Sequence, residues 1–118
     1  MISKHENAEQ TKLMSNEAKF GLGQLVKHKL FDYRGVIIDI DPVFLGTDTW
    51  YDRMAKTRPP RDKPWYRVLV NNSQHETYVA EQNLQEDQSR EGINHPQLED
   101  YFDQFSGGFY KNSTRLAN

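Results

Sequence analysis

The sequence predicts a mainly β fold, a small β-barrel of about five short strands with a C-terminal helix. Three observations predict it. Residues 20–42 read as two strands hinged at a Tyr33-Arg34-Gly35 turn, residues 65–70 alternate between two faces, and residues 75–80 return from a turn rich in Asn and Ser.

In the first strand Leu25, Lys27 and Lys29 alternate with Val26, His28 and Leu30, the period of a half-buried strand, after a loose lead-in at Gly21 and Gly23. Gly35 opens the second, almost wholly apolar run, Val36 to Ile40. Asp41-Pro42 stops it, because proline has no amide proton for a ladder. Val43, Phe44 and Leu45 continue as a bent strand, and residues 46–63 are a long connection rich in Thr, Asp, Arg and Pro. A connection of that length in a small domain is usually functional or mobile. Trp65, Arg67 and Leu69 then share one strand face, with Tyr66, Val68 and Val70 on the other; residues 71–74 turn, and residues 75–80 pair back. Residues 81–84 form a single helical turn that closes the barrel. Residues 85–92 are a charged linker, and Pro96 opens a helix on which Leu98, Tyr101, Phe102 and Phe105 make one apolar stripe, stopped by Gly107-Gly108. The expected divisions are a flexible N-terminal arm (1–17), a barrel domain (18–84) and a linker with C-terminal helix (85–118).

Composition narrows the function classes. A chain of 118 residues, 36% hydrophobic, has material for one modest core. No apolar run reaches the roughly 20 residues of a membrane helix, and residues 1–7 lack the apolar centre of a signal peptide, so a cytoplasmic location is expected. Without cysteine there is no disulfide, thiol catalysis or zinc-thiolate site. A net charge of −2 argues against a broad DNA-coating surface. The local distribution is different: Arg53, Lys56, Arg58, Arg61, Lys63 and Arg67 face only Asp62 between residues 53 and 67.

Four segments taken in order carry a family resemblance: residues 19–28 (Lys-Phe-Gly-Leu-Gly-Gln-Leu-Val-Lys-His), 33–42 (Tyr-Arg-Gly-Val-Ile-Ile-Asp-Ile-Asp-Pro), 64–70 (Pro-Trp-Tyr-Arg-Val-Leu-Val) and 77–84 (Thr-Tyr-Val-Ala-Glu-Gln-Asn-Leu). Together they resemble the bacterial heat-shock protein HspQ family, also called YccV-like or hemimethylated-DNA-binding. The resemblance implies an SH3-like β-barrel, self-association into a homo-oligomer and a cytoplasmic stress-linked role. It also implies two activities, binding of hemimethylated DNA and modulation of Lon-type proteolysis of substrates such as the replication initiator DnaA. No catalytic residue, cofactor or metal comes with it.

Candidate sites follow from residue chemistry. Asp39 and Asp41 share a strand face and offer oxygen ligands to a hard cation, although a strand end with Asp41 initiating the turn is the simpler reading. His28 and His75 fall in neighbouring hairpins and His5 and His95 in flanking segments, without metal-motif spacing. Neither a nucleophilic triad nor a phosphate-cradling glycine loop is present, so no enzymatic activity is expected. Arg53, Lys56, Arg58, Arg61 and Lys63, with Trp50 and Tyr51, combine cations for phosphates with flat rings for bases, and are the candidate DNA or partner surface. Any of Leu45, Trp50, Tyr51 or Trp65 offers the apolar contact that a methyl group in the major groove requires. The stripe Leu98, Tyr101, Phe102 and Phe105 either packs on its own barrel or docks on a partner. A stress-response factor binding hemimethylated DNA and tuning proteolysis is the first functional expectation, a protease adaptor with incidental DNA binding the second.

Overall fold

Strand formers dominate the residues that pair. In a computed structural model, which describes residues 17–113, β1 (Leu25–His28), β2 (Arg34–Asp41), β3 (Trp65–Val70), β4 (Glu76–Ala80) and β5 (Leu84–Glu86) form one antiparallel sheet. Its order is β4-β3-β2-β1-β5. A 3-10 turn at Glu81–Asn83 leads into β5, as the predicted helical turn required. Between β2 and β3 lies a helix, α1 (Asp48–Met54), and after β5 come a one-turn helix, α2 (Leu98–Tyr101), and a hairpin of β6 (Gln104–Ser106) and β7 (Phe109–Lys111). The fold is mainly β, with seven strands in two antiparallel sheets among the described residues. The predicted arm, with His5, lies outside those residues save for Glu17.

Several expectations need correction. Strand pairing does not close a barrel, since β4 and β5 remain its two edges. The first hinge is residues 29–33, while Arg34 and Gly35 already pair with Lys27 and Val26. Residues 43–45 are not a strand, and two turns of helix occupy the start of the supposed long loop. Finally, the predicted C-terminal helix ends at Tyr101: Phe102 is extended, and Gly107 and Gly108, both with positive φ, form the β6–β7 turn.

Both faces of the sheet are buried. On one, Val26, Ile37, Tyr66, Val68, Val79 and Leu84 pack together; on the other, Leu25, Val36, Ile38 and Leu69 are covered by Ile93, Phe102 and Tyr110. β2 serves both faces by alternation, Val36 and Ile38 on one and Ile37 on the other, and a bulge between Ile37 and Asp39 shifts its register against β3. The half-buried pattern expected of β1 is therefore replaced by burial of Leu25 and Val26 alike. Each such side chain contributes about 1.5–3 kcal/mol by leaving water.

Arg34, at the start of β2, ties down the segment after β5. Its Nε lies 2.7 Å from Asp87 Oδ2, with both side chains largely buried, and its other arm donates to the Glu91 carbonyl. Burial raises the Asp87 carboxyl, but bonds from Arg34 and Ser89 outweigh it and hold the group below its ordinary value. A depressed carboxyl contributes stability that is complete above its unfolded pKa near 3.9 and is lost as pH falls through the lower folded value. Arg34→Met is expected to cost about 3 kcal/mol at neutral pH, because it strands a buried carboxylate. Urea titrations should show the gap from wild type narrowing as pH falls through and below the ordinary carboxyl range and Asp87 becomes protonated; a constant gap would mean that the arginine acts through packing alone.

Candidate functional site

α1 forms on a short polar sequence because both its ends and one face are satisfied. Thr47 caps it, accepting from the Trp50 N–H at 3.0 Å, Asp48 lies in the positive first turn and Arg53 in the last. Tyr51 and Ala55 turn inward at i, i+4 and join Phe44, Trp65 and Ala80, with Trp50 and Tyr78 packed against them. The Tyr51 hydroxyl donates to the Pro59 carbonyl at 2.7 Å, and Trp65 Nε1 to the Pro60 carbonyl at 3.1 Å. The chain after α1 is thus pinned over an aromatic cluster.

The five loop cations divide. Arg61 pairs with Asp48 at 2.6 Å and lies over the rings of Phe44 and Tyr51 at 5.0 and 4.8 Å. Arg58 pairs with Asp52 at 2.9 Å and lies 5.4 Å from the centre of the Tyr51 ring. Both hold the loop against the aromatics by ion pairing and cation–π contact. Arg53, Lys56 and Lys63 are exposed, and among the described residues no carboxylate pairs with Arg53 or Lys56. Arg67, on β3, is held between Glu76 at 3.0 Å and Asp39 at 3.7 Å.

Of the apolar candidates, Trp65 and Tyr51 are buried, whereas Trp50 is half-buried and Leu45 is 65% exposed. Leu45 and Trp50 line one shallow pocket of about 280 Å³ beside Arg67 and Tyr78. Asp41 accepts from the Tyr78 hydroxyl at 2.5 Å, and Tyr78, pushed up to about 12 by burial and by this bond, keeps its proton. Asp39 faces Arg67, so the two carboxylates serve different partners, and among the described residues no group of three metal-ligating side chains forms.

Among the described residues the histidine rings join no metal-ligating group. His28 is buried in the β1–β2 turn, where Nδ1 accepts from the N–H groups of Leu30 and Phe31, both at 3.1 Å, and burial lowers its pKa. His95 Nδ1 accepts from Gln97 N–H, which leaves Nε2–H to donate to the His75 carbonyl at 3.0 Å. The C-terminal stripe also divides: Phe102 is buried in the sheet-face core, Leu98 and Tyr101 pack against that core, and Phe105 lies exposed on β6.

The match that decides the family covers this whole assembly. A family model described as hemimethylated DNA-binding protein YccV like matches residues 18–108. The chain belongs to the YccV-like family. The YccV-like match spans the five-stranded sheet, α1 and the aromatic cluster, and runs on through α2 and β6. The basic run is visible in the sequence but its partners are not, because Asp48 and Asp52 lie ahead of it on α1 and reach Arg61 and Arg58 only once the chain folds back.

Proposed function

We propose that this YccV-like chain binds DNA of the hemimethylated kind without chemistry of its own. Its contact surface is the outer side of α1 and the loop after it. Family membership over residues 18–108 carries the reading, and the solvent-facing Arg53, Lys56 and Lys63 next to Leu45 and Trp50 support it. The cations would bind phosphates and fix register, while Leu45 and Trp50 would meet the methyl group. Arg58, Arg61 and Tyr51 shape the surface from behind. The antiparallel order β4-β3-β2-β1-β5, with a 3-10 turn before the fifth strand, supports the strand arrangement of the SH3-like fold that the resemblance implies, with the seam between β4 and β5 left open. The same resemblance supports a cytoplasmic, homo-oligomeric stress factor that tunes Lon-type proteolysis of substrates such as DnaA.

The test is fluorescence anisotropy of hemimethylated, fully methylated and unmethylated duplexes of one sequence at about 150 mM salt, where non-specific binding is weak. Tightest binding of the hemimethylated duplex is expected. Replacing Arg53, Lys56 and Lys63 with Ala should flatten the salt slope by up to about 2.7, near 0.9 per phosphate contact. Leu45→Ser should erode the preference for the hemimethylated duplex while leaving the salt slope in place. Equal weak binding to all three duplexes would overturn the reading.

A second reading, a protease adaptor with incidental DNA binding, is favoured by the exposure of Leu30 (55%), Phe31 (72%) and Met54 (60%). Apolar side chains gathered on a surface mark interaction sites. In a Lon-type degradation assay this reading expects the triple Ala variant to keep its effect on proteolysis and Phe31→Ala to lose it.

A further inference from the structure

We propose that the open edge of β4 is a docking slot for an extended, apolar, acidic peptide from another protein, which joins the sheet as an added strand. The proposal deepens the second reading above, by giving it a place and a ligand chemistry, and is independent of DNA binding.

The backbone supplies the first argument. Bonds from Val70 N–H to the His75 carbonyl and from Glu81 N–H to the Pro64 carbonyl bracket the β3–β4 ladder. Antiparallel pairing alternates, so Thr77 and Val79 exchange bonds with Val68 and Tyr66, while Glu76, Tyr78 and Ala80 turn their N–H and C=O groups away from β3. Among the described residues no backbone group pairs with Glu76, with Tyr78 or with the Ala80 N–H, while the Ala80 carbonyl opens the 3-10 turn at Glu81–Asn83. Such an edge is a template for another strand.

Walls supply the second. A groove of about 390 Å³ is lined by every residue of β4. Leu30 and Phe31 of the β1–β2 turn line it, as do Trp50 and Met54 of α1. The two walls lie on opposite faces of the strand, because Val79 packs in the core that includes Tyr33, whereas Tyr78 packs with Trp50. An added strand sends alternate side chains to opposite faces and would bury an apolar residue against each wall. The turn is held in shape before any ligand arrives, since His28 accepts from both its amides and stacks on Phe31 at 4.7 Å.

Charge selects the occupant. Lys56 lines the groove with no carboxylate paired to it among the described residues, and Glu76, the acidic residue of β4, is already engaged by Arg67. A peptide carboxylate near the Ala80 end therefore gains an ion pair. A second copy of the chain fits poorly, because its own β4 edge stands between the same two walls and cannot enter a slot of its own width.

The experiment uses the full chain and a fluorescein-labelled octapeptide of valine and threonine in which two valines are adjacent, so that one faces each wall, ending in glutamate and aspartate. One control peptide is N-methylated at alternate amides, and a second ends in two lysines. Saturable binding is expected with Kd on the order of 100 µM. Loss of the edge bonds in the N-methylated control should weaken it about tenfold or more, and the lysine control should also bind more weakly. Phe31→Ala and Met54→Ala should weaken binding with little change in thermal melting, since both side chains are exposed. Amide resonances of Glu76, Tyr78 and Ala80 should shift on titration. Absence of saturation, or equal binding of the N-methylated control, overturns the proposal. So does a groove whose Phe31→Ala variant loses duplex binding while the peptide never binds, which would assign it to nucleic acid. Failure of the peptide with an intact effect on proteolysis would remove the slot and leave the adaptor reading standing.

Discussion

A chain truncated after Leu84 is expected not to fold. The sequence reads residues 85–118 as a charged linker and a helix whose stripe packs on the barrel or docks on a partner, and this segment supplies three of the seven residues of one core. Ile93, Phe102 and Tyr110 cover Leu25, Val36, Ile38 and Leu69, the buried residues of one face of the sheet. Removing them also takes Gln85 and Glu86 from the β1–β5 ladder and Asp87 from Arg34. Phe102→Ala or Tyr110→Ala alone should cost about 3–5 kcal/mol, a large share of the 5–15 kcal/mol that holds a typical domain together. Losing both, with the ladder and the buried ion pair, exceeds that margin. Far-ultraviolet circular dichroism and tryptophan fluorescence read the outcome in the truncated chain, and urea titration reads it in the single variants, which should still fold. A truncated chain that melted cooperatively at the full-length temperature would show the segment to be an appendage and return the stripe to partner docking.

Where the sequence was legible, local pattern and tertiary burial agreed. β3 is predicted to the residue, Trp65–Val70, because alternation and β-propensity point the same way, and the turn at residues 71–74 has Asn72 in the left-handed region that Asn tolerates. α1 was not legible. Asp48-Thr49-Trp50-Tyr51-Asp52-Arg53-Met54 has weak helix propensity, and what stabilises it is the packing of Tyr51 and Ala55 on an aromatic cluster assembled from distant strands. The C-terminal helix was over-read. Leu98, Tyr101, Phe102 and Phe105 fit a helical period, but the stronger local signal was Gly107-Gly108 between Phe105-Ser106 and Phe109-Tyr110, the composition of a two-residue hairpin. The candidate surface was half legible: charge showed where the cations cluster, whereas only the fold shows that Arg58 and Arg61 are spent on Asp52, Asp48 and the aromatic rings.

Gly23→Ala is expected to be the most damaging single-methyl change in the chain. The sequence offers Gly21 and Gly23 as equivalent lead-in residues, and they differ sharply. A methyl group on Gly21 meets nothing within 4 Å. On Gly23 it would sit 1.9 Å from the Tyr110 carbonyl oxygen, and the residue's φ of +81° is one that side chains with a Cβ rarely adopt. Nor can Tyr110 step aside, because its N–H donates to the Gly23 carbonyl at 2.8 Å while Gly23 N–H donates to Ile37 at 2.8 Å. This is where the C-terminal hairpin is fastened to the main sheet, as the bridge between Gln24 and Phe109 confirms. Backbone strain of roughly 1–2 kcal/mol adds to an overpacking cost of about the same size. The melting temperature of Gly23→Ala should therefore fall by more than about 10 °C, while Gly21→Ala stays near wild type. Equal melting of the two variants would mean that the hairpin floats on the sheet, and the core that Phe102 and Tyr110 complete would have to be redrawn.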